Sequence, residues 1–315
     1  MSRDDLINTT RAILAKAGFD VSSALNLRSI CFDVVARKDE RLLIIKVLSN
    51  IDALSRDAAE EMKTLAEALR ASPILVGESS SSGPLETGTV YTRFKIPIIS
   101  NETLADHLIE EVPPFIFAAP GGLYVRLDRD ILRDARESKG VSLGTLAETA
   151  GVSRRTIQMY EAGMGAMIDA AIRLEEFLNV PIIEPIDPFE YKCEKRPEDR
   201  EMHDGERTAS EALNRLLDIG FAITPVSKSP FEAITRGSRT VIFTGLDQEE
   251  GKLIQKAVAA SEISRVTGRH SLIIVGKKRS TDNIDSTAVV TDEELKKIDD
   301  SDVLTDLVLS RSTKR

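Results

Sequence analysis

Four residues of this chain stand out for the chemistry of their side chains: Arg154, Arg155, Gln158 and Met159. Their spacing places all four on the outward side of one short helix. In the major groove of DNA, arginine pairs bidentately with the edge of guanine, and glutamine does so with adenine. The set therefore predicts a surface that reads base edges.

The segment SLGTLAETAGVSRRTIQMYEAG, residues 142–163, must position these side chains. Ser142 is typical of a helix N-cap, and Leu146 and Ala147 fall on one buried face of the helix that follows. Gly151 ends this helix, because glycine accepts the positive φ of the position after a helix without a steric penalty. The pattern predicts the first helix of a helix-turn-helix.

The second helix is predicted to begin directly after Ser153, whose hydroxyl can accept a hydrogen bond from a free amide of its first turn. Val152 packs in the corner between the helices, and Ile157 and Tyr160 form the buried side. Gly163 supplies the stop. We expect this helix to enter the major groove of duplex DNA.

These residues resemble the DNA-binding domains of the lambda repressor and Cro family, and the likeness extends into both flanks. ILRDARESKG resembles the first helix of that family, and IDAAIRLEEFLNVPI resembles the fourth. The resemblance implies that Arg136 and Glu161 tie the first helix to the recognition helix, and that Gln158 lies near a phosphate. The residues implied in DNA contact are Ser153, Arg154, Arg155, Thr156, Gln158 and Met159. Those implied in holding the helix-turn-helix together are Arg136, Leu146, Ala147, Gly151, Val152, Ile157, Tyr160, Glu161 and Gly163.

The charge of this region predicts weak binding by a single copy. Residues 124–180 carry 8 Lys or Arg and 9 Asp or Glu, a net charge of −1. Neutralisation of phosphates supplies much of the affinity of DNA-binding proteins. We therefore expect a homodimer or an accessory basic surface. A helix-turn-helix that serves protein interaction is the alternative interpretation.

Composition places the chain among globular proteins. Its 315 residues, 42% of them apolar, suffice for two or three domains. The net charge of −9 argues against indiscriminate coating of nucleic acid. No apolar run approaches the ~20 residues of a membrane span. The polar start MSRDDLINTT and the isolated Cys31 and Cys193 lead us to expect a cytoplasmic protein without disulfides.

Two segments that flank the helix-turn-helix look like diverged copies of one another. GFDV at 18–21 corresponds to GFAI at 220–223, and FDVVAR at 32–37 corresponds to FEAITR at 231–236. In both copies a helix precedes the first motif, and an apolar strand follows the second. The order of helix, hairpin, strand, helix, strand and helix predicts a mixed sheet with helices on its faces.

The N-terminal copy resembles the restriction-endonuclease-like fold of PD-(D/E)xK nucleases, because Asp33 opens one strand and Lys46 ends the next. Such enzymes need a second carboxylate two residues before the lysine to hold a divalent metal, and that position is Ile44. The C-terminal copy has Glu232 but Thr244 or Gly245 in place of the lysine. We interpret both copies as nuclease-like scaffolds without nuclease chemistry.

Other chemical signals are few. His107, His203 and His270 have no Cys, Asp or His partner at metal-ligand spacing. Neither GxGxxG nor GxxxxGK[ST] occurs. We therefore expect no catalytic residue, no metal and no cofactor.

Taken whole, the chain resembles a family of archaeal helix-turn-helix transcriptional regulators. The fold class predicted is α/β plus all-α, with a central repressor-like domain between two related α/β domains. The predicted boundaries are an N-terminal α/β domain at 1–111, a linker at 112–123, the Cro-type domain at 124–186, a linker at 187–205 and a C-terminal α/β domain at 206–315.

The predicted function is sequence-specific binding of double-stranded DNA by a homodimer that regulates transcription, with half-sites ~34 Å apart. The α/β domains are expected to supply dimer contacts or to sense an unknown effector. The alternatives are a metal-dependent, structure-selective nuclease that uses the N-terminal copy, and an adaptor that binds protein instead of DNA.

Overall fold

The computed structural model describes the chain except for residue 1 and five further short segments. The described ranges are 2–25, 30–191, 200–246, 253–276 and 281–312. The chain divides into two compact units, one made of residues 1–48, 52–74 and 191–315, the other of residues 49–51 and 75–190. The domain boundaries stated above stay predictions. Cys193 lies outside the described residues.

The described residues form helices and strands in alternating groups. The helices are α1 (Arg3–Lys16), α2 (Arg56–Leu69), α3 (Asn101–Leu108), α4 (Arg129–Ser138), α5 (Leu143–Ala150), α6 (Arg154–Tyr160), α7 (Ile168–Leu178), α8 (Glu211–Asp218), α9 (Leu253–Thr267), α10 (Asp292–Leu295) and α11 (Ser301–Ser312). The strands are β1 (Asp20–Val21), β2 (Val34–Lys38), β3 (Arg41–Asn50), β4 (Ser72–Ser80), β5 (Gly83–Pro84), β6 (Thr89–Arg93), β7 (Ile96–Ile99), β8 (Ile116–Ala119), β9 (Gly122–Leu127), β10 (Ala166–Met167), β11 (Ile183–Glu184), β12 (Ala222–Pro225), β13 (Ala233–Arg236), β14 (Val241–Leu246), β15 (His270–Val275), β16 (Asn283–Ile284) and β17 (Thr287–Thr291).

The N-terminal part of the first unit begins with α1 and three antiparallel strands. The side chain of Ser2 caps α1 and Asp5 returns the bond, which completes a capping box. Strand β1 pairs with β2, and β2 pairs with β3 in a register that sets Val34 opposite Ile45. The paired centres of the two strands, residues 34–36 of β2 and 43–45 of β3, are buried, as their near-continuous apolar sequences predict.

The C-terminal part of the first unit repeats this order. Strands β12, β13 and β14 are antiparallel, β14, β15 and β17 are parallel, and β16 closes the edge. Its main core is an apolar cluster to which α8, α10 and α11 contribute, and Phe221, Leu272 and Val290 are among its buried members. A parallel step from one strand to the next requires a crossover, and α9 supplies the first one.

The two copies share their strand register as well as their order. Val34 faces Ile45 in one copy, and Ala233 faces Thr244 in the other. By this register Lys46 corresponds to Gly245. The predicted combination of mixed α/β sheets with a helical region is confirmed.

The second unit contains the rest of the N-terminal α/β segment and the helix-turn-helix. Strand β4 pairs with β7 in parallel, and β6 joins β7 to β8, which pairs with β9. Helices α4–α7 enclose an apolar cluster to which β9 contributes Val125 and Leu127. The short strands β10 and β11 both pair with β9. Neither of these two strands was predicted from the sequence, because pairing of two-residue strands depends on residues distant in the chain.

None of the helices in the described ranges is both long enough and apolar enough to cross a membrane.

Candidate nucleic-acid interface

Short local hydrogen bonds build the two helices of the helix-turn-helix. The Oγ atom of Ser142 accepts from the amide of Thr145 at 3.1 Å, which caps α5. Gly151 ends α5 with φ of +72°. The Oγ atom of Ser153 accepts from the amide of Thr156 at 3.1 Å, and the two hydroxyl oxygens lie 2.8 Å apart. Each side chain satisfies a donor that the first turn of a helix leaves free.

The inner sides of α5 and α6 pack into one core. Ile157 is fully buried and Tyr160 is 3% exposed. They share an apolar cluster with Leu146 and Ala147, and the half-buried Val152 packs against it. This packing leaves one direction open to solvent, so it determines which side chains of α6 face outward.

An ion pair joins the first helix of the module to the end of α6. The Nε atom of Arg136 donates to Oε1 of Glu161 at 2.6 Å, and its Nη2 atom donates to Oε2 at 3.3 Å. Arg133 donates to the backbone oxygen of Glu161 at 3.1 Å. The hydrogen bond that Arg136 donates to Glu161 is the main cause that raises the pKa of Arg136. Gly163, with φ of +96°, turns the chain away two residues later.

The outward side of α6 presents a polar surface with one apolar side chain. Arg154, Arg155 and Gln158 are exposed, and Met159 is 43% exposed. The arginines lie at the N-terminal end, where recognition helices of this type contact bases. These side chains offer bidentate donors for guanine, an amide for adenine and an apolar contact for the thymine methyl group.

In the N-terminal α/β copy, Asp33 is buried and both oxygens of its carboxylate accept hydrogen bonds. Its Oδ1 atom accepts from Nη2 of Arg3 and lies 3.3 Å from Nζ of Lys46. Its Oδ2 atom accepts from the amide of Val47 at 2.8 Å. Two cations and one amide therefore take the positions that a metal ion would need.

The position of the second carboxylate of a nuclease site is apolar. Ile44 is 1% exposed and belongs to the core. Among the residues that the structure describes, no three His, Cys, Asp or Glu side chains are grouped to hold a metal. A divalent cation of the kind that nucleases use needs several oxygen ligands. The residues around Asp33 do not fit such an ion.

The C-terminal copy has a carboxylate at the position that corresponds to Asp33, but the lysine that pairs with it comes from another element. Glu232 accepts from the amide of Leu246 at 2.6 Å, which corresponds to the bond between Asp33 and Val47. Its other oxygen lies 2.5 Å from Nζ of Lys256, a residue of α9. Gly245 occupies the strand position that corresponds to Lys46. Both copies therefore keep an acid that accepts from the strand beside it.

Comparisons with known proteins agree with both parts of this description. A PD-(D/E)XK superfamily domain matches residues 3–114, and a helix-turn-helix domain matches residues 132–184. A protein from Methanocella arvoryzae is 41% identical over 319 residues, with 100% of this chain and 98% of the relative covered. Its name is "Putative HTH-type transcriptional regulatory protein". The chain belongs to this family.

Other members of the family come from a range of archaea. Relatives of the same description in Methanosarcina barkeri and Halorubrum lacusprofundi are 40% and 38% identical, and each match covers 99% of this chain and 98% of the relative. The family resemblance that the sequence indicated is thereby confirmed. No solved structure matches the chain.

Two residues beside the helix-turn-helix were not among those that sequence reasoning selected. A methyl group on Gly144 would lie 2.6 Å from Nη2 of Arg154, so glycine leaves room for this guanidinium against α5. Arg173 of α7 donates to the backbone oxygen of Ala150 at 3.5 Å, beside the turn. A glycine inside a short helix is a signal for the first contact. Nothing local in the sequence predicts the second.

The three histidines have separate surroundings. His107 lies 3.8 Å from Asp187 and packs against Phe189. His203 is exposed. The pKa of His270 is lowered, first by burial and then by the charge of Arg269.

Proposed function

We propose that this member of the family regulates transcription by binding specific sequences of double-stranded DNA through α6. The observation that carries the proposal is the division of α6 into two sides, with Ile157 and Tyr160 in the core and Arg154, Arg155 and Gln158 in solvent. Exposure of an arginine does not by itself indicate a function. On this helix, however, the guanidinium groups are suited to pair with guanine edges. The relatives named as HTH-type regulators support the same function.

We assign the finer roles residue by residue. Arg154, Arg155 and Met159 face the bases, and Gln158 lies near a phosphate. Ser153 and Thr156 begin the helix and approach the DNA with it. Arg136 and Glu161 act indirectly, because they hold α6 at its angle to α4.

We further propose that the regulator works as a homodimer. The module has a net charge of −1 between residues 124 and 180, so one copy neutralises few phosphates. Two recognition helices in successive major grooves double the contacts and read a palindrome with half-sites ~34 Å apart. The expected place of action is the cytoplasm.

The test is selection of bound sequences from a random duplex library by the full-length protein at near-physiological salt. We expect enrichment of a palindromic motif. In the double variant Arg154→Ala, Arg155→Ala the motif should weaken or disappear, with a loss of roughly 1–3 kcal/mol for each base contact removed.

A matched variant separates base reading from general electrostatics. Arg56→Ala, Lys297→Ala removes the same charge from two exposed positions outside the helix-turn-helix. It should retain the selected motif. An equal loss of affinity for every DNA sequence in the first variant, or no enrichment by the wild type, would contradict base reading.

We also propose that the nuclease-like copies have no nuclease activity. Support comes from the occupied carboxylate of Asp33 and from the buried Ile44 beside it. The experiment is a cleavage assay with Mg²⁺ or Mn²⁺ on duplex, flap and four-way junction DNA, with Asp33→Ala as the control. Cleavage by the wild type that the variant loses would establish the nuclease instead.

A further inference from the structure

The two α/β copies of the first unit contact each other through reciprocal hydrogen bonds. Arg37 and Arg236 occupy corresponding positions in the shared strand register. Arg37 donates to the backbone oxygen of Thr267 at 3.1 Å, in the last turn of α9. Arg236 donates to the backbone oxygen of Ala68 at 2.9 Å, in the last turn of α2. Each copy therefore caps a helix of the other.

Acids on the same helices add a second reciprocal pair of contacts. Glu61 of α2 accepts from the hydroxyl and the amide of Ser227, at 2.6 and 3.2 Å. Glu262 of α9 accepts from the amide of Ser23 at 2.9 Å. These bonds and the arginine caps join the two copies with an approximate internal twofold relation.

Each capped helix end carries one further arginine, and we call the two caps and these two residues the arginine cluster: Arg37, Arg70, Arg236 and Arg269. Arg70 follows α2 directly and lies two residues beyond the carbonyl that Arg236 caps. Arg269 lies two residues beyond the carbonyl that Arg37 caps. A Cβ atom on Gly268 would lie 3.0 Å from Nη1 of Arg37, which shows how closely the two copies approach.

Among the described residues, one carboxylate pairs with the arginine cluster. Glu201 pairs with Arg236 at 2.5 Å. Arg37 donates to backbone oxygens. Arg70 and Arg269 are exposed, and among the described residues neither guanidinium has a hydrogen bond or an ion pair.

The field of the other three arginines acts on Arg269. Its pKa is lowered, first by partial desolvation of a side chain that is still mainly exposed, and then by repulsion from Arg236, Arg37 and Arg70. Repulsion of this kind destabilises the fold unless an anion relieves it. The chain has 51 acidic and 42 basic residues. A shortage of acidic residues therefore does not explain why Arg269 has no carboxylate partner among the described residues.

Capping of a helix explains the positions of only two of the four arginines in the arginine cluster. Arg37 and Arg236 satisfy carbonyls at the negative ends of two helices. Arg70 and Arg269 add positive charge at the same helix ends, and neither has a partner in the ranges that the structure describes. Guanidinium groups recognise phosphate with paired hydrogen bonds, and several together suit a group with several negative charges.

We propose that the arginine cluster binds a small anion with two or more phosphate groups, of the kind represented by pyrophosphate. The four arginines come from two copies of one fold, and the other three act electrostatically on Arg269 at the contact between the copies, which favours a compact ligand over an extended nucleic-acid strand. The bound anion would stabilise the contact between the copies. This makes the first unit a sensor domain, and the proposal does not depend on DNA binding by α6.

The test is calorimetric titration of the full-length protein with pyrophosphate, and with citrate as an anion without phosphate. We expect saturable binding of pyrophosphate and weaker binding of citrate. The variant Arg70→Gln, Arg269→Gln should bind pyrophosphate at least roughly tenfold more weakly, since two charge-assisted contacts are lost. It should fold normally, because neither side chain has a hydrogen-bond or ion-pair partner within the described part of the chain, and its thermal unfolding serves as the check.

The matched control is Arg56→Gln, Lys297→Gln, which makes the same charge change at exposed positions elsewhere in the first unit. It should bind pyrophosphate like the wild type. The proposal is overturned by absence of pyrophosphate binding at millimolar concentration, by equal losses in both double variants, or by a cluster variant that loses affinity for duplex DNA alone.

Discussion

Replacement of Arg136 by methionine tests whether the ion pair with Glu161 positions the recognition helix. Both side chains are largely buried, at 16% and 10% exposure, and two hydrogen bonds join them. Removal of one partner from a buried pair costs about 3–5 kcal/mol, because it leaves the other charge uncompensated. Arg133 lies 4.0 Å from Glu161 and can compensate in part, so we expect a loss of about 2–3 kcal/mol.

Amide hydrogen exchange of the full-length protein is the suitable assay. The chain forms two compact units, so a single unfolding transition would not report on this module alone. In α6 the amide of Ile157 donates to Ser153 and that of Glu161 donates to Ile157. Their free energy of opening should fall in Arg136→Met, which keeps most of the side chain's packing volume.

The double-mutant cycle with Glu161→Gln isolates the ion pair. We expect the two changes together to cost less than the sum of the single changes, with a coupling of about 1–3 kcal/mol. Affinity for DNA should fall alike on all sequences. Unchanged protection of the α6 amides in Arg136→Met, or additive effects in the cycle, would refute the reasoning.

Three further outcomes follow from the α/β copies. In Asp33→Asn the amides of β3 should lose about 2–4 kcal/mol of protection against hydrogen exchange. Added Mg²⁺ should leave the thermal unfolding of the wild type unchanged, and stabilisation by Mg²⁺ would argue for a metal site. The hydrogen bond from Arg311, with smaller contributions from Thr291, lowers the pKa of Glu294 from 4.5 to about 2, so the stabilisation of the fold by ionised Glu294 is complete above pH 4.5 and is lost as pH falls through 2. In Arg311→Leu the hydrogen-exchange protection of α11 should depend less on pH in this range. In Arg269→Gln the pKa of His270, followed by NMR, should rise because a repelling charge is removed. An unchanged pKa would mean that the guanidinium of Arg269 lies too far from His270 to repel its charged form.

The sequence by itself determined the local structure of the helix-turn-helix. Serines that cap helices and a glycine that ends one act on backbone groups within four residues, so Ser142, Gly151 and Ser153 predict helix limits without tertiary information. The order of the α/β copies followed from their matching apolar runs. The family resemblance rests on the same local patterns, so the sequence was sufficient to indicate it, and the comparisons confirmed it.

Only the tertiary structure decided what the charged residues do. Asp33 looks like a nuclease carboxylate in sequence, but Arg3 reaches it from 30 residues away and neutralises it. Glu232 finds its lysine on a helix and not on the expected strand. The arginine cluster, too, forms only when distant segments meet. Two charges interact according to their distance in space, and the number of residues between them in the sequence does not give that distance.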